Sequence, residues 1–166
     1  MREFRVFDGV ALAMQGDTFV SLWKSPALVD RVRWHGALLE QHVARQKSSA
    51  LALMIVMPSS SPPVGEARVE SNAVVRRIAP KLRLAVTAAL GDSIQMQIVR
   101  TVMRGMFLLS GNAKRLVVVS TEAEGIERVH AAGEASTPPR HEIEASLRAL
   151  HEMLAEEPVQ GLSTSL

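Results

Sequence analysis

Eight apolar residues in succession, 50–57 (Ala-Leu-Ala-Leu-Met-Ile-Val-Met), halted by Pro58, constrain this chain more than any other feature. A strand apolar on both faces needs cover on both, which is the habit of a central strand in an α/β sheet. The run is too short for a membrane span, which takes about 20 residues. No longer apolar run occurs in the 166 residues, so no membrane span is expected.

The segments around this run alternate in period. Residues 10–14 and 18–23 read as two strands around the turn Gln15-Gly16-Asp17, with Phe4 to Phe7 as an extension of the first. Ser25-Pro26 is expected to open a helix reaching about Arg45, with Leu28, Val32, Leu39 and Val43 on one face. After a Ser/Pro-rich loop, 59–65, a helix is expected from Glu66 to Ile78 with Val69, Ala73 and Val74 inward, ended by Pro80. Leu82 to about Ala89 reads as a second interior strand with Leu82, Leu84 and Val86 alternating along it.

Asp92 or Ser93 is expected to cap a long helix with Ile94, Ile98, Val102, Met106 and Leu109 as its inner stripe, ended by Gly111-Asn112. Residues 116–119 form a last short strand, and a helix follows with Ile126 and Val129 inward. The fold class is therefore α/β: a mainly parallel sheet with an N-terminal antiparallel hairpin, in the order ββαβαβαβα, plus a C-terminal amphipathic helix. The expected organisation is one domain over 1–133, a linker at 134–140, the C-terminal helix at 141–157 and a disordered tail at 158–166.

On the C-terminal helix Ile143, Leu147, Leu150 and Leu154 fall at spacings of 4, 3 and 4, a narrow apolar seam that must pack against something. Six acids and two bases from Glu134 onward give that end −4, so the net charge of +2 leaves +6 for the rest. Opposite charge favours contact between the two parts, within one chain or between two copies. With the sheet expected to be covered already, the seam is assigned to a protein partner or a second copy, making a homodimer.

The chemistry-bearing residues are sparse. There is no cysteine, so disulfides, thiolate metal sites and cysteine nucleophiles are excluded, and a reducing cytoplasm is the expected compartment. Met1 is followed by Arg2, Glu3 and Arg5 rather than by an apolar stretch, which reads as no secretory signal. His35 and His42 lie two helical turns apart without a carboxylate at ligand spacing, so no metal is expected, and they read as surface or boundary histidines. Serine, histidine and aspartate occur without a Gly-x-Ser-x-Gly elbow, and no catalytic constellation is found: the expectation is a non-enzyme without cofactors.

Gly91-Asp92-Ser93, at a helix start beyond a strand end, is the candidate anion or ligand site, with a nucleotide or lipid as possible ligand of the crevice near Gly91 to Ile94. Arg68, Arg76, Arg77, Lys81 and Arg83 form a basic stretch. With four phenylalanines, two tryptophans and no tyrosine to stack bases, the sequence argues against nucleic acid as partner. Met96, Met103 and Met106 read as core.

The order of elements over residues 4 to about 132 resembles the STAS domain, the sulfate-transporter and anti-sigma-factor-antagonist family. Residues 115–124, Arg-Leu-Val-Val-Val-Ser-Thr-Glu-Ala-Glu, are similar to its final strand and short helix, and 99–107 look like the preceding helix of uncharacterised bacterial members. The resemblance implies a non-catalytic, regulatory protein-interaction module, with a small-ligand carrier or sensor as the alternative. Phospho-switch members carry an Asp-Ser pair after the first interior strand. Here that loop holds Ser59, Ser60 and Ser61 with no preceding aspartate, and the chain's Asp-Ser pair, Asp92-Ser93, comes one strand later. The three serines are the candidate phospho-loop.

Overall fold

A computed structural model describes residues 1–157. Six strands form one sheet in chain order: β1 (Glu3–Phe7), β2 (Val10–Gln15), β3 (Thr18–Trp23), β4 (Ala50–Val56), β5 (Leu82–Ala89) and β6 (Leu116–Val119). β2 pairs antiparallel with both β1 and β3, and β3 to β6 run parallel. Five helices follow the strands: α1 (Val29–Arg45), α2 (Gly65–Ile78), α3 (Ile94–Leu109), α4 (Glu122–Ala131) and α5 (Arg140–Glu156). This is the α/β class expected, with one strand more. Asp8 and Gly9, both at positive φ, make a two-residue turn that separates β1 from β2 instead of letting one strand run through. The tail from 158 lies outside the described residues.

The order of the parallel strands decides which face each helix covers. Each crossover steps one strand further in the same sense, so α1, α2 and α3 all fall on one face of the sheet. The other face is left for α4 and α5. There Ala13, Val20, Leu22, Leu53, Val86 and Val119 meet Ile126 and Val129 of α4 and Ile143, Leu147, Leu150 and Leu154 of α5. The four seam residues of α5 are at most 2% exposed. Their partner is the chain's own sheet, which corrects the assignment of that seam to another molecule: three crossover helices cover one face, not two.

Residues 134–140 are not a loose linker. Asp17, fully buried, accepts hydrogen bonds from Arg83 Nη2 (2.6 Å), Thr137 Oγ1 (2.9 Å), Ser136 Oγ (3.0 Å) and Thr18 Oγ1 (3.0 Å). Burial pushes the Asp17 carboxyl up, but the bonds from Arg83, Thr137, Thr18 and Ser136 outweigh it and hold it below the usual carboxylate range. Arg83 stands where the β4–β5 register shifts, Ala50 pairing with Leu82 but Leu51 with Leu84. The same irregularity breaks the expected alternation: Leu82 faces α1 and α2, while Leu84 and Val86 face α4 and α5. Gly16, at φ +55°, lies so close to the turn that a Cβ there would come within 2.1 Å of the Ser136 carbonyl oxygen.

Two helix faces differ from expectation. In α2 the inward residues are Ala67, Val74 and Ile78, and Val69 points out. In α3 the inner stripe is Met96, Val99, Met103, Met106 and Phe107, while Ile94, Ile98 and Leu109 are exposed. This helix is apolar around most of its circumference, so periodicity alone cannot choose its rotation. Two contacts do: Ser93 Oγ accepts from Met96 N at 3.2 Å, and Arg100 donates to the carbonyls of Ala89 (2.7 Å) and Gly91 (2.8 Å). Nor does Ser25 open α1. Its carbonyl is taken by the Ser60 hydroxyl, and the helix begins only at Val29.

Candidate functional site

The three helices on the first face do not press on the sheet equally. α2 leans on α1, drawn in where Gly36 has no side chain: a Cβ at that position would sit 2.8 Å from Val74 Cγ2. Of the three helices it touches the strands least. The gap beneath it is a cavity of about 130 Å³, floored by the sheet and walled by α1, α2 and α3.

Its walls follow from strand and helix period. Phe19, Ser21 and Trp23 alternate along β3 and all face it, as do Ala52, Met54 and Val56 on β4. Val32, His35, Gly36 and Leu39 come from α1, Ser71, Val74, Val75 and Ile78 from α2, and Val99, Met103, Met106 and Phe107 from α3. The loop after β4 supplies the rim, Ser60 to Pro63. The lining contains no lysine, arginine, aspartate or glutamate.

Two of its polar groups are paired. His35 Nε2 and Ser21 Oγ share a hydrogen bond of 2.9 Å. The His35 ring meets Phe19 edge-on at 5.3 Å and Trp23 at 5.1 Å, and burial pushes its imidazole down to about 4, so it is neutral at physiological pH. Beside it is Trp23, 5% exposed, whose indole N–H has no hydrogen-bond partner among the described residues. A buried donor left unpaired costs about 1–3 kcal/mol.

The residues singled out in the sequence fall elsewhere or in other roles. Gly91, Asp92 and Ser93 are exposed and lie outside the cavity. The Ser93 hydroxyl is committed to the helix cap and the Gly91 carbonyl to Arg100. Of the serines in the loop, Ser59 donates to the Lys24 carbonyl at 2.6 Å and Ser60, 1% exposed, to that of Ser25 at 2.8 Å. Ser61 accepts from Ala27 N through its carbonyl. These bonds tie the rim of the cavity to the segment before α1.

His42 is buried, 4% exposed, and burial pushes its imidazole down as well. It departs from the surface or boundary role expected of it, whereas His35 is half-buried, as a boundary residue is. The basic stretch is dispersed: Arg77 pairs with Glu40 at 2.8 Å, and Arg83 is held by Asp17. Among the described residues no cluster of three or more histidine or acidic side chains could hold a metal ion, and no helix is long and apolar enough to cross a membrane.

Sequence reading missed the cavity because its lining comes from five separate elements. One signal was present: Ser21 and His35 are polar residues set into otherwise apolar faces of β3 and α1. Comparison of the chain with known protein families, with curated proteins and with solved structures finds no significant match.

Proposed function

We propose that this chain is a non-catalytic small-molecule-binding domain, a carrier or sensor, whose ligand occupies the cavity under α2. The observation that carries the reading is an apolar hollow between the sheet and three helices, with the hydrogen-bonded pair Ser21 and His35 in its wall. Ligand binding was the alternative reading of the sequence, placed there near Gly91 to Ile94; the hollow and the pair in its wall support the cavity instead. The STAS resemblance and a cytoplasmic compartment remain part of the proposal. The former is supported by the chain-ordered parallel strands and by β6 running directly into the Thr121-capped α4.

Filling the cavity tests the reading. Ala52, on the floor, is replaced by leucine, which adds apolar contacts to an empty space and is expected to raise stability by about 0.5–2 kcal/mol. Small apolar compounds are expected to raise the melting temperature of the parent protein, and the same variant should lose that rise. An equal thermal response in both proteins would remove the cavity from the function.

A second reading, the protein-interaction module, draws on a different observation. Ile94, Ile98, Leu108 and Leu109 on the outer side of α3 are 53–76% exposed, and Arg104 is the one charged residue exposed on that helix. Such a face suits a second copy of the chain, which would meet it with the same apolar surface about a twofold axis. Ile98→Glu should then lower the molar mass seen by light scattering without lowering the melting temperature. A parent protein that is already monomeric at high concentration would end this reading.

A further inference from the structure

We infer that α3 pairs with the α3 of a second copy of the chain, antiparallel about a twofold axis, with Gly105 where the two helices come closest. The inference rests on the second reading above and gives it an orientation and a contact point.

The glycine comes first. Inside a helix glycine is less favourable than alanine, because it has more backbone freedom to lose. Every other glycine of the described residues either has a positive φ or would carry a Cβ 2.8–2.9 Å from a neighbouring atom. Gly105 lies inside α3, and a Cβ added there would meet nothing within 4 Å. Nothing within one chain asks for a glycine at this position.

Its place on the helix gives it a use. Ile94, Ile98, Gly105 and Leu109 follow one another at spacings of 4, 7 and 4, a single straight stripe. The three large side chains of that stripe are 53–76% exposed. Thr101, exposed one turn before the glycine, is also short. Gly105 is thus a gap in an uncovered apolar ridge, where the backbone of another helix can approach.

Charge selects the occupant. Asp92 stands just before α3, and Lys114 follows its end in the short turn Ala113–Arg115. Both are exposed, and neither belongs to an ion pair among the described residues. Antiparallel pairing sets the start of one α3 beside the end of the other. Asp92 then meets Lys114 of the second copy, twice in each dimer, and the helix dipoles oppose one another. Parallel pairing would set like charge against like. The chain carries the complement of its own face, which commits that face to a second copy. One helix per copy is a small share of the roughly 1,200–2,000 Å² that stable interfaces bury, so the dimer is expected to be reversible.

The experiment is sedimentation equilibrium over a concentration series, with the melting temperature of the dilute protein measured beside it. Gly105→Ala is expected to weaken dimerisation about tenfold, by crowding the contact. It should also raise the melting temperature, since the added methyl meets nothing in the monomer and favours the helix. Asp92→Lys and Lys114→Glu should each weaken dimerisation roughly tenfold, and an equimolar mixture of the two variants should associate like the parent. A Gly105→Ala protein that dimerises like the parent, or melts lower than it, overturns the contact point. Charge variants that dimerise like the parent, or a mixture no better than its components, overturn the antiparallel pairing. If Ile98→Glu still abolishes the dimer in those cases, the α3 face stands as the interface without this arrangement. A parent protein that is monomeric at high concentration overturns the second reading and this inference together.

Discussion

At the scale of single residues, the polar groups of the interior are few and each is tied to one place. Asp17 and Arg83 close a rim; His35, Ser21 and Trp23 line a cavity. Their protonation makes stability depend on pH in a definite direction. His35 is held at about 4 by burial, and His42 is also pushed down by burial, whereas in the unfolded chain both titrate near 6.5. Between those values the unfolded chain takes up protons that the folded chain refuses, so stability falls as pH falls through this window. Asp17 acts in the same direction at lower pH. Its folded value lies below the unfolded 3.8, so its contribution is present above 3.8 and is lost as pH falls through the folded value. The melting temperature should therefore be lower at pH 5 than at pH 7, and the His35 ring carbons should titrate well below 6 by NMR. A His35 midpoint near 6.5 would show that the ring is solvated and not part of a dry site.

At the scale of elements, α5 is where the account makes its strongest claim on stability. Ile143, Leu147, Leu150 and Leu154 are buried on the face where α5 packs against β2 and β3, and burying four such side chains contributes roughly 6–12 kcal/mol before ordering costs. Truncation after Gly133 removes this cover together with Ser136 and Thr137, two of the hydroxyls on Asp17. Domains of this size have about 5–15 kcal/mol in total, so the truncated chain should lose its cooperative thermal transition. A truncated protein that melts like the parent would show that α5 is dispensable. The seam itself was legible in the sequence because an isolated amphipathic helix has one apolar stripe and that stripe must be buried. What covers it was not, since that depends on which face the crossover helices leave open. For α3 the reverse holds: its N-terminus was legible from Ser93, but a helix with apolar residues on both sides carries no period that selects one. β4 was legible because an eight-residue apolar run halted by a proline has the length and ending of a doubly covered strand.

At the scale of the whole molecule, the sheet divides the domain into two unlike halves. On one side α4 and α5 lie close, with Gly125 so near the sheet that a Cβ there would come within 2.9 Å of Leu53 Cδ1. On the other side α2 packs more on α1 than on the strands, and the cavity lies between it and the sheet. The first half holds the fold; the second has room for a ligand. The most direct test of that division is a crystal of the ligand-free protein under xenon pressure, because xenon enters apolar cavities of this size and avoids polar ones. One xenon atom is expected between the sheet and α2, in contact with Phe19, Val74 and Met103. A cavity with no xenon, or one filled by ordered water, would contradict the account.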